Sequence, residues 1–230
     1  MKTSPTASLI IVIVLLIVAG GLYFALAPKA KAPATSATTE TIATTSPSTS
    51  LATSSVAMKS YTDRGQTFSL SYPETFTFVG KDDGFAHYAQ GWLQSAATLG
   101  SVLVRITVPS SFEPKTNFVD ATFGVGSSAD RDAIAQCLMA PQSSGPVLPK
   151  TTVTIHGVEY TKFISSDAGA GNVYENTSYR TVRNGQCYGV EYTIHSSNIG
   201  NYSRDQGITA FDQAKIHAAL EGIVQSFKFL

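Results

Sequence analysis

The sequence predicts an α+β protein in which an antiparallel β-sheet domain, with a C-terminal helix packed on it, follows an N-terminal transmembrane helix and a disordered tether. Three observations predict this architecture. An uncharged apolar segment lies near the N-terminus, short alternating runs separated by turn residues follow Tyr61, and apolar residues at helical spacing close the chain. The predicted segments are a short N-terminal segment (1–6), the transmembrane helix (7–27), the tether (28–59) and the α+β domain (60–230).

Residues 7–27 contain no charged side chain. A helix of about twenty residues is about 30 Å long, which matches the hydrocarbon core of a bilayer. A cleaved signal peptide is the alternative, because Ala25-Leu26-Ala27 and Ala30-Lys31-Ala32 both offer the small residues that signal peptidase needs. Pro28 and Pro33 directly follow these sites and should obstruct cleavage, so we expect a retained signal anchor.

The tether is rich in Ala, Ser, Thr and Pro and shows no apolar period, so we expect a flexible spacer that spans roughly 30 Å. An O-glycosylated stalk has the same composition and is the alternative. Lys2 precedes the span while Lys29 and Lys31 follow it, and this charge count slightly favours a cytoplasmic domain. Because the tether and the cysteine pair are typical of exported chains, we expect a single-pass protein of the cell membrane with its C-terminal domain outside the cytoplasm.

Two strands are predicted early in the domain. Residues 68–73 alternate apolar and serine side chains, and Phe76 with Phe78 begins another run, which together indicate one hairpin. Residues 102–108 also alternate and end at Pro109, as expected for a half-buried strand.

Two later hairpins carry stronger signals. His156-Gly157 separates the β-like runs 152–155 and 158–164, and Asn184-Gly185 is the dipeptide that type I′ turns prefer. A turn at Asn184-Gly185 fixes the register of its flanking strands. The pairs on the predicted core face are Thr181 with Tyr188, Tyr179 with Val190, Thr177 with Tyr192, and Glu175 with Ile194.

The opposite face of that hairpin carries Arg180 and Glu191 on a diagonal, and Val182 beside Cys187 near the turn. We expect this face to be a solvated polar surface except near the turn, because one face of an antiparallel sheet is commonly exposed.

Two helices are predicted. One covers about 128–138, with Ser127 or Ser128 as its cap. The other closes the chain, follows a capping box at Thr209-x-x-Asp212, and should lie across the sheet. Its apolar positions are Ile216, Leu220, Ile223, Val224 and Phe227.

The two edges of the domain carry recognisable motifs. The opening segment is Tyr61-x-x-Arg64-Gly65-Gln66-Thr67-Phe68-Ser69-Leu70-Ser71-Tyr72-Pro73, and the closing segment is 223–229. Both resemble the PsbP-like (Mog1/PsbP) α/β/α sandwich. The middle segment 179–188 resembles uncharacterised single-span membrane-anchored proteins of small-genome bacteria. PsbP relatives are mostly accessory or assembly factors of membrane complexes, so the resemblance implies a binding role and supplies no catalytic residues.

Composition bounds the partners. Sixteen basic and sixteen acidic residues give no net charge, which disfavours nucleic-acid binding. A domain of this size buries roughly 70% of its unfolded surface, so its folding requires no cofactor or metal, and we expect none. The expected partners are the membrane, through residues 7–27, and another envelope protein.

Cys137 and Cys187 are the only cysteines. An even pair outside the cytoplasm predicts a disulfide, and closing a loop of about fifty residues would contribute about 4 kcal/mol to stability. Two separate buried thiols are the alternative, and metal ligation is disfavoured because neither cysteine has a Cys or His at ligand spacing.

No zinc or nucleophile motif occurs in the chain, which favours a non-enzymatic binding or accessory domain. The alternative function is an anchored hydrolase whose His195, Asp167 and a serine assemble in space. A spacer protein without specific contacts is a third possibility. The Gly-rich stretch 124–128 is interpreted as a turn, because it lacks the third glycine and the lysine of a phosphate loop.

Tyr88 and Trp92 are the candidate contacts for a ligand or partner, because they lie in a Gly-flanked stretch where apolar side chains can be exposed. The alternative is that Trp92 caps the core.

Overall fold

A seven-stranded antiparallel sheet organises this chain, whose computed structural model describes residues 56–79, 91–93, 98–143 and 145–230. Its spatial order is β3-β4-β5-β9-β8-β7-β6. The predicted membrane span, and the tether up to residue 55, lie outside the described residues. The strands are β3 (Thr77–Val79), β4 (Ser101–Val108), β5 (Phe118–Ser128), β6 (Thr151–Ile155), β7 (Val158–Gly169), β8 (Asn172–Arg183) and β9 (Gln186–Ser197).

A second, three-stranded antiparallel sheet and a long helix cover one face of the large sheet. The small sheet contains β1 (Met58–Thr62), β2 (Phe68–Pro73) and β10 (Lys228–Phe229), in the order β1-β2-β10. Strand β1 begins two residues before the predicted start of the domain. The second helix, α2 (Gln213–Ser226), follows a short helix α1 (Arg131–Gln136).

The main core lies between α2, the small sheet and the inner face of the large sheet. Apolar side chains of α2 that recur at helical spacing are fully buried against alternating residues of the strands. The core therefore confirms an α+β domain with an antiparallel sheet and a C-terminal helix packed on it. Its members include Phe68, Leu70, Val104, Ile106, Phe123, Tyr179, Val190, Tyr192, Ile216, Leu220, Ile223 and Val224.

Both late hairpins are confirmed. The two residues of each turn have positive φ angles, 47° and 76° at His156-Gly157 and 51° and 71° at Asn184-Gly185, as a type I′ turn requires. The predicted register of β8 on β9 is also confirmed. Its pairs include Thr181 with Tyr188, Tyr179 with Val190, Thr177 with Tyr192, and Glu175 with Ile194.

The predicted early hairpin is wrong. Strand β2 pairs with β1 and β10, while β3 pairs with β4 in the other sheet. Both edges of β2 are occupied, so no edge is left for β3. The amide of Phe76 donates to the carbonyl of Pro73, and this tight turn redirects the chain from one sheet to the other.

Both helices begin later than predicted. Ser128 still pairs with Cys187 in the β5–β9 ladder, so α1 starts only after Asp130, whose carboxylate accepts from the amides of Asp132 and Ala133. In α2, Asp212 is itself the N-cap and accepts from Lys215 N, instead of closing a capping box begun at residue 209. The predicted turn at 124–128 is also wrong, because these residues belong to β5.

The outer face of the β8–β9 hairpin is not the solvated surface that the pattern predicts. Arg180 is only 6% exposed, and Ser178 and Asn176 are buried beside it. Helix α1 and residues 91–93 cover this end of the sheet. Alternation identified two different faces but could not show that both would be covered.

Candidate functional site

A disulfide between Cys137 and Cys187 fastens α1 to the outer face of the large sheet. Cys137 ends α1, and Cys187 lies in β9 directly after the Asn184-Gly185 turn. The predicted pairing is therefore confirmed. The bond lies within a second buried cluster, separate from the main core, that also contains Trp92, Leu93 and Ala133.

Helix α1 and residues 91–93 together form a cover over this face of the sheet. Glycines in β5 and β9 make room for it. Gly126 and Gly189 face each other in the β5–β9 ladder. A Cβ at Gly126 would collide with the carbonyl oxygen of Trp92, and one at Gly189 would collide with the side chain of Leu93. Residues 91–93 therefore reach the sheet only because both positions lack a side chain.

Trp92 forms one wall of the covered region. Its indole is 6% exposed, and its Nε1–H donates to the carbonyl of Thr98 at 3.0 Å. The prediction that Trp92 contacts a ligand or partner stays a prediction. Tyr88, the other predicted contact residue, lies outside the described residues.

A cavity of about 200 Å³ opens between α1, the segment that follows it and the outer sheet face. Among the described residues that line it, Arg180 is the only charged one. Most of the other side chains are apolar, with three uncharged polar groups among them. The lining residues are Trp92, Leu93, Thr98, Ala133, Gln136, Cys137, Met139, Ala140, Pro141, Gln142 and Arg180.

Three contacts hold the Arg180 guanidinium. Its Nε donates to Ser178 Oγ at 3.0 Å and its Nη1 to the carbonyl of Met139 at 3.5 Å, while the guanidinium carbon lies 5.1 Å from the centroid of the Phe163 ring. Burial lowers the pKa of Arg180, and the carboxylate of Glu191 opposes this shift. A guanidinium remains protonated in proteins, so the cavity wall carries a positive charge.

A second buried arginine lies within the electrostatic range of the same carboxylate. Arg105 of β4 is 8% exposed, and its Nη2 donates to the carbonyl of Gly91 at 3.3 Å. Burial lowers the pKa of Arg105 as well, again opposed by Glu191. Among the described residues, one glutamate thus faces two buried guanidinium groups, so positive charge exceeds negative charge there.

The other face of the sheet holds a different polar cluster, around Glu221 of α2. Its carboxylate accepts from Tyr179 Oη at 2.6 Å, from Tyr192 Oη at 2.9 Å and from Lys162 Nζ at 3.0 Å. His217 Nδ1 lies 3.1 Å from Tyr192 Oη. These donors come from three strands, so the cluster fastens α2 to the sheet.

The alternative hydrolase site is not assembled by the strand pairing. Tyr174 of β8 lies opposite Asp167 of β7 on one side and opposite His195 of β9 on the other. The backbones of Asp167 and His195 are therefore two strand spacings apart, about 10 Å. His195 Nε2 lies 2.9 Å from Asn172 Oδ1, and its ring stacks on Tyr174. The geometry of this row gives no support to a His195–Asp167 pair.

The part of the chain that the structure describes contains no group of three or more His, Cys, Asp or Glu residues placed to hold a metal ion. Within the same residues, no helix is long and apolar enough to cross a membrane.

Comparisons with known proteins give no family assignment. No family model and no curated protein matches the chain. Eleven chains of solved structures match it. The solution structure of cyanobacterial PsbP (CyanoP) from Synechocystis sp. PCC 6803 is 11% identical, with a TM-score of 0.42, over 76% of this chain and 94% of that one.

Two further solved structures have lower scores. LpqN of Mycobacterium tuberculosis, a protein involved in cell envelope biogenesis, is 8% identical with a TM-score of 0.33, over 75% of this chain and 90% of that one. A protein from Bacteroides thetaiotaomicron VPI-5482 is 13% identical with a TM-score of 0.38, over 75% of this chain and 48% of that one. With TM-scores below 0.5, these three structures support no inference about the function of this chain.

Proposed function

We propose that this chain is a membrane-anchored, extracytoplasmic binding or accessory domain that holds a ligand, or a segment of an envelope partner, in the cavity beside the Cys137–Cys187 bond. The observation that carries the proposal is the buried charge of Arg180 on the cavity wall. Burying a guanidinium costs free energy unless its N–H groups find partners. A ligand in the cavity would supply such partners.

The location rests on two features. A disulfide persists in an oxidising compartment and is rare in the cytoplasm. Residues 7–27 have the length and composition of a membrane span, and the tether that follows would let the domain reach a partner in the envelope.

The location is tested by trapping the cysteines in cells that express the full-length chain. Acid quenching, alkylation under denaturing conditions and mass spectrometry before and after reduction report the state of both thiols. We expect Cys137 and Cys187 to be alkylated only after reduction. Alkylation of both without reduction would place the domain in a reducing compartment and overturn the proposed location.

The binding role is tested with a fragment library on the full-length protein in nonionic detergent micelles. We expect some fragments to slow hydrogen exchange in peptides covering 131–142. Ala140 is exposed and lines the cavity, so Ala140→Phe should abolish this protection. Ala135 is exposed on α1 without lining it, so Ala135→Phe is the matched control and should retain the protection.

Two outcomes would contradict a binding role for the cavity. In one, no fragment protects residues 131–142. In the other, the protecting fragments act equally on the Ala140→Phe variant and the wild-type chain.

A further inference from the structure

We infer that the cavity binds an apolar monocarboxylate, with its carboxylate on Arg180 and a body about the size of a benzene ring against the apolar walls. This inference rests on the proposed binding function and names the class of ligand. A small organic acid and the C-terminal residue of a peptide share this chemistry.

The polar end of the ligand follows from how Arg180 is held. The Nε–H of Arg180 donates to Ser178 Oγ, and one Nη1–H donates to the carbonyl of Met139. A guanidinium has five N–H groups, so both terminal nitrogens keep at least one for a ligand. Two parallel N–H groups on a planar fork match the two oxygens of a carboxylate, and the Phe163 ring restrains the guanidinium plane.

The strength of this anchor follows from its burial. Only 6% of the surface of Arg180 is exposed, so most of its desolvation precedes ligand binding. Only one cationic side chain lines the cavity among the described residues. Among the described residues, Glu191 opposes the two buried arginines, Arg105 and Arg180, which leaves one positive charge. One positive charge suits a singly charged carboxylate better than a phosphate, which carries more charge and more acceptors.

The apolar body follows from size and lining. The cavity measures about 200 Å³, and an apolar protein cavity of about 150 Å³ is known to hold benzene. Trp92, Leu93, Ala133 and Pro141 supply apolar contact on part of the cavity wall, while polar groups line the rest. The ligand therefore combines one carboxylate with a ring or a short branched chain.

The test uses Trp92, the only tryptophan of the chain, as the reporter on the cavity wall. Phenylacetate and phenylacetamide have the same shape but differ in charge. In titrations of the full-length protein in nonionic detergent micelles, we expect phenylacetate to change Trp92 emission saturably. Phenylacetamide should bind at least about tenfold more weakly, because it cannot form charge-assisted bonds with Arg180.

Further probes identify the source of the carboxylate. A dipeptide ending in phenylalanine with a free C-terminus, compared with its amide, tests whether a peptide terminus is accepted. Binding of the free acid alone supports a peptide source, and binding of phenylacetate without either dipeptide supports a small acid. Inorganic phosphate binding in place of every carboxylate would overturn the inference.

Variants place the carboxylate on Arg180. Arg180→Met should weaken phenylacetate binding by about thirtyfold or more, since it removes one partner of a buried charge pair. Arg180→Lys keeps the charge but loses the planar pair of N–H groups, so its affinity for phenylacetate should lie between those of the wild-type chain and Arg180→Met. Arg131 is exposed on α1 outside the cavity, so Arg131→Met should change affinity by less than about twofold. Equal affinity of all variants for phenylacetate would overturn the assignment.

The ligand pair decides the question even if the Arg180→Met variant fails to fold. Equal binding of phenylacetate and phenylacetamide would overturn the carboxylate inference while leaving the binding function intact. If library fragments protect the cavity but no carboxylate binds, the inference fails alone. If no fragment and no carboxylate binds, the proposed function fails with it.

Discussion

Glu221 illustrates how a single side chain holds two layers of this domain together. Burial acts to raise the pKa of its carboxyl group, but hydrogen bonds from Tyr179, Lys162 and Tyr192 outweigh burial and lower that pKa. The folded state therefore favours the ionised carboxylate more than the unfolded chain does. Stability that depends on this carboxylate is present above the unfolded pKa, about 4.3, and is lost as the pH falls through the folded pKa.

Replacing Glu221 by Gln should lower the free energy of unfolding by about 1–3 kcal/mol near pH 7, since three donors lose a charged acceptor. The difference from the wild-type chain should shrink progressively as the pH falls from about 4.3 to below the folded pKa, because both chains carry a neutral group only below the folded pKa. Urea unfolding across this pH range measures both effects.

Glu159 of β7 offers the matched control, because it is an exposed glutamate on a strand of the same sheet. Glu159→Gln should leave stability within about 0.5 kcal/mol of wild type at every pH. If both variants behave alike, Glu221 does not fasten α2 to the sheet.

The covering segment 91–93 depends on which residues of β5 are glycine. Gly124 and Gly126 lie on the same face of this strand, two residues apart, yet only Gly126 lies beneath Trp92. A Cβ at Gly124 would meet the carbonyl of Val104 at 3.7 Å, an ordinary contact distance. A side chain is therefore excluded at Gly126 but tolerated at Gly124, although both are strand glycines on the same face.

The Gly126→Ala variant should displace residues 91–93 from the sheet and cost about 1–3 kcal/mol of stability, because overpacking forces the backbone of Trp92 to move. Its Trp92 emission should shift to longer wavelength as the indole becomes solvated. Gly124→Ala is the control and should keep the wild-type emission and stability within about 0.5 kcal/mol. Equal spectra for the two variants would show that Gly126 does not set the position of Trp92.

Local sequence patterns predicted the pairing of some of these strands and missed the pairing of others. Alternation and Asn184-Gly185 correctly predicted the register of β8 on β9, because a two-residue turn fixes pairing locally. The early hairpin was predicted wrongly, because a run that alternates does not reveal which sheet it joins. Competition for strand edges is a property of the folded domain.

In the whole domain, the Cys137–Cys187 bond holds α1 against the outer face of the large sheet, and Gly126 and Gly189 allow residues 91–93 to pack there. The disulfide joins residues 50 positions apart, so it restricts the unfolded chain as well as fastening α1. The main core lies on the other side of the sheet and does not include this bond. Loss of the disulfide should therefore open the cover before it unfolds the domain.

The double variant Cys137→Ser with Cys187→Ser should lower the free energy of unfolding by about 4 kcal/mol. Hydrogen exchange should rise first in peptides covering 131–142. Peptides covering β8, whose inner face packs against α2, should keep their protection. The reduced wild-type protein is the control and should reproduce this pattern. Uniform loss of protection across the domain would show instead that the bond supports the main core.

Local patterns and residue counts were enough to predict several features of this protein. Alternation identified strands, helical spacing identified α2, Asn-Gly identified a turn, and the presence of just two cysteines identified the disulfide. Each of these follows from residues close in sequence or from a count, so no knowledge of the folded neighbours was needed.

Which sheet faces are covered, and what the covering segments enclose, depends on contacts between distant parts of the chain. Arg180 alternates as a surface residue does, yet it is buried because α1 and residues 91–93 pack over it from distant parts of the chain. Periodicity distinguishes the two faces of a strand but carries no information about what packs on either. The cavity, its single cationic wall and the ligand class proposed for it therefore emerge only when distant segments meet.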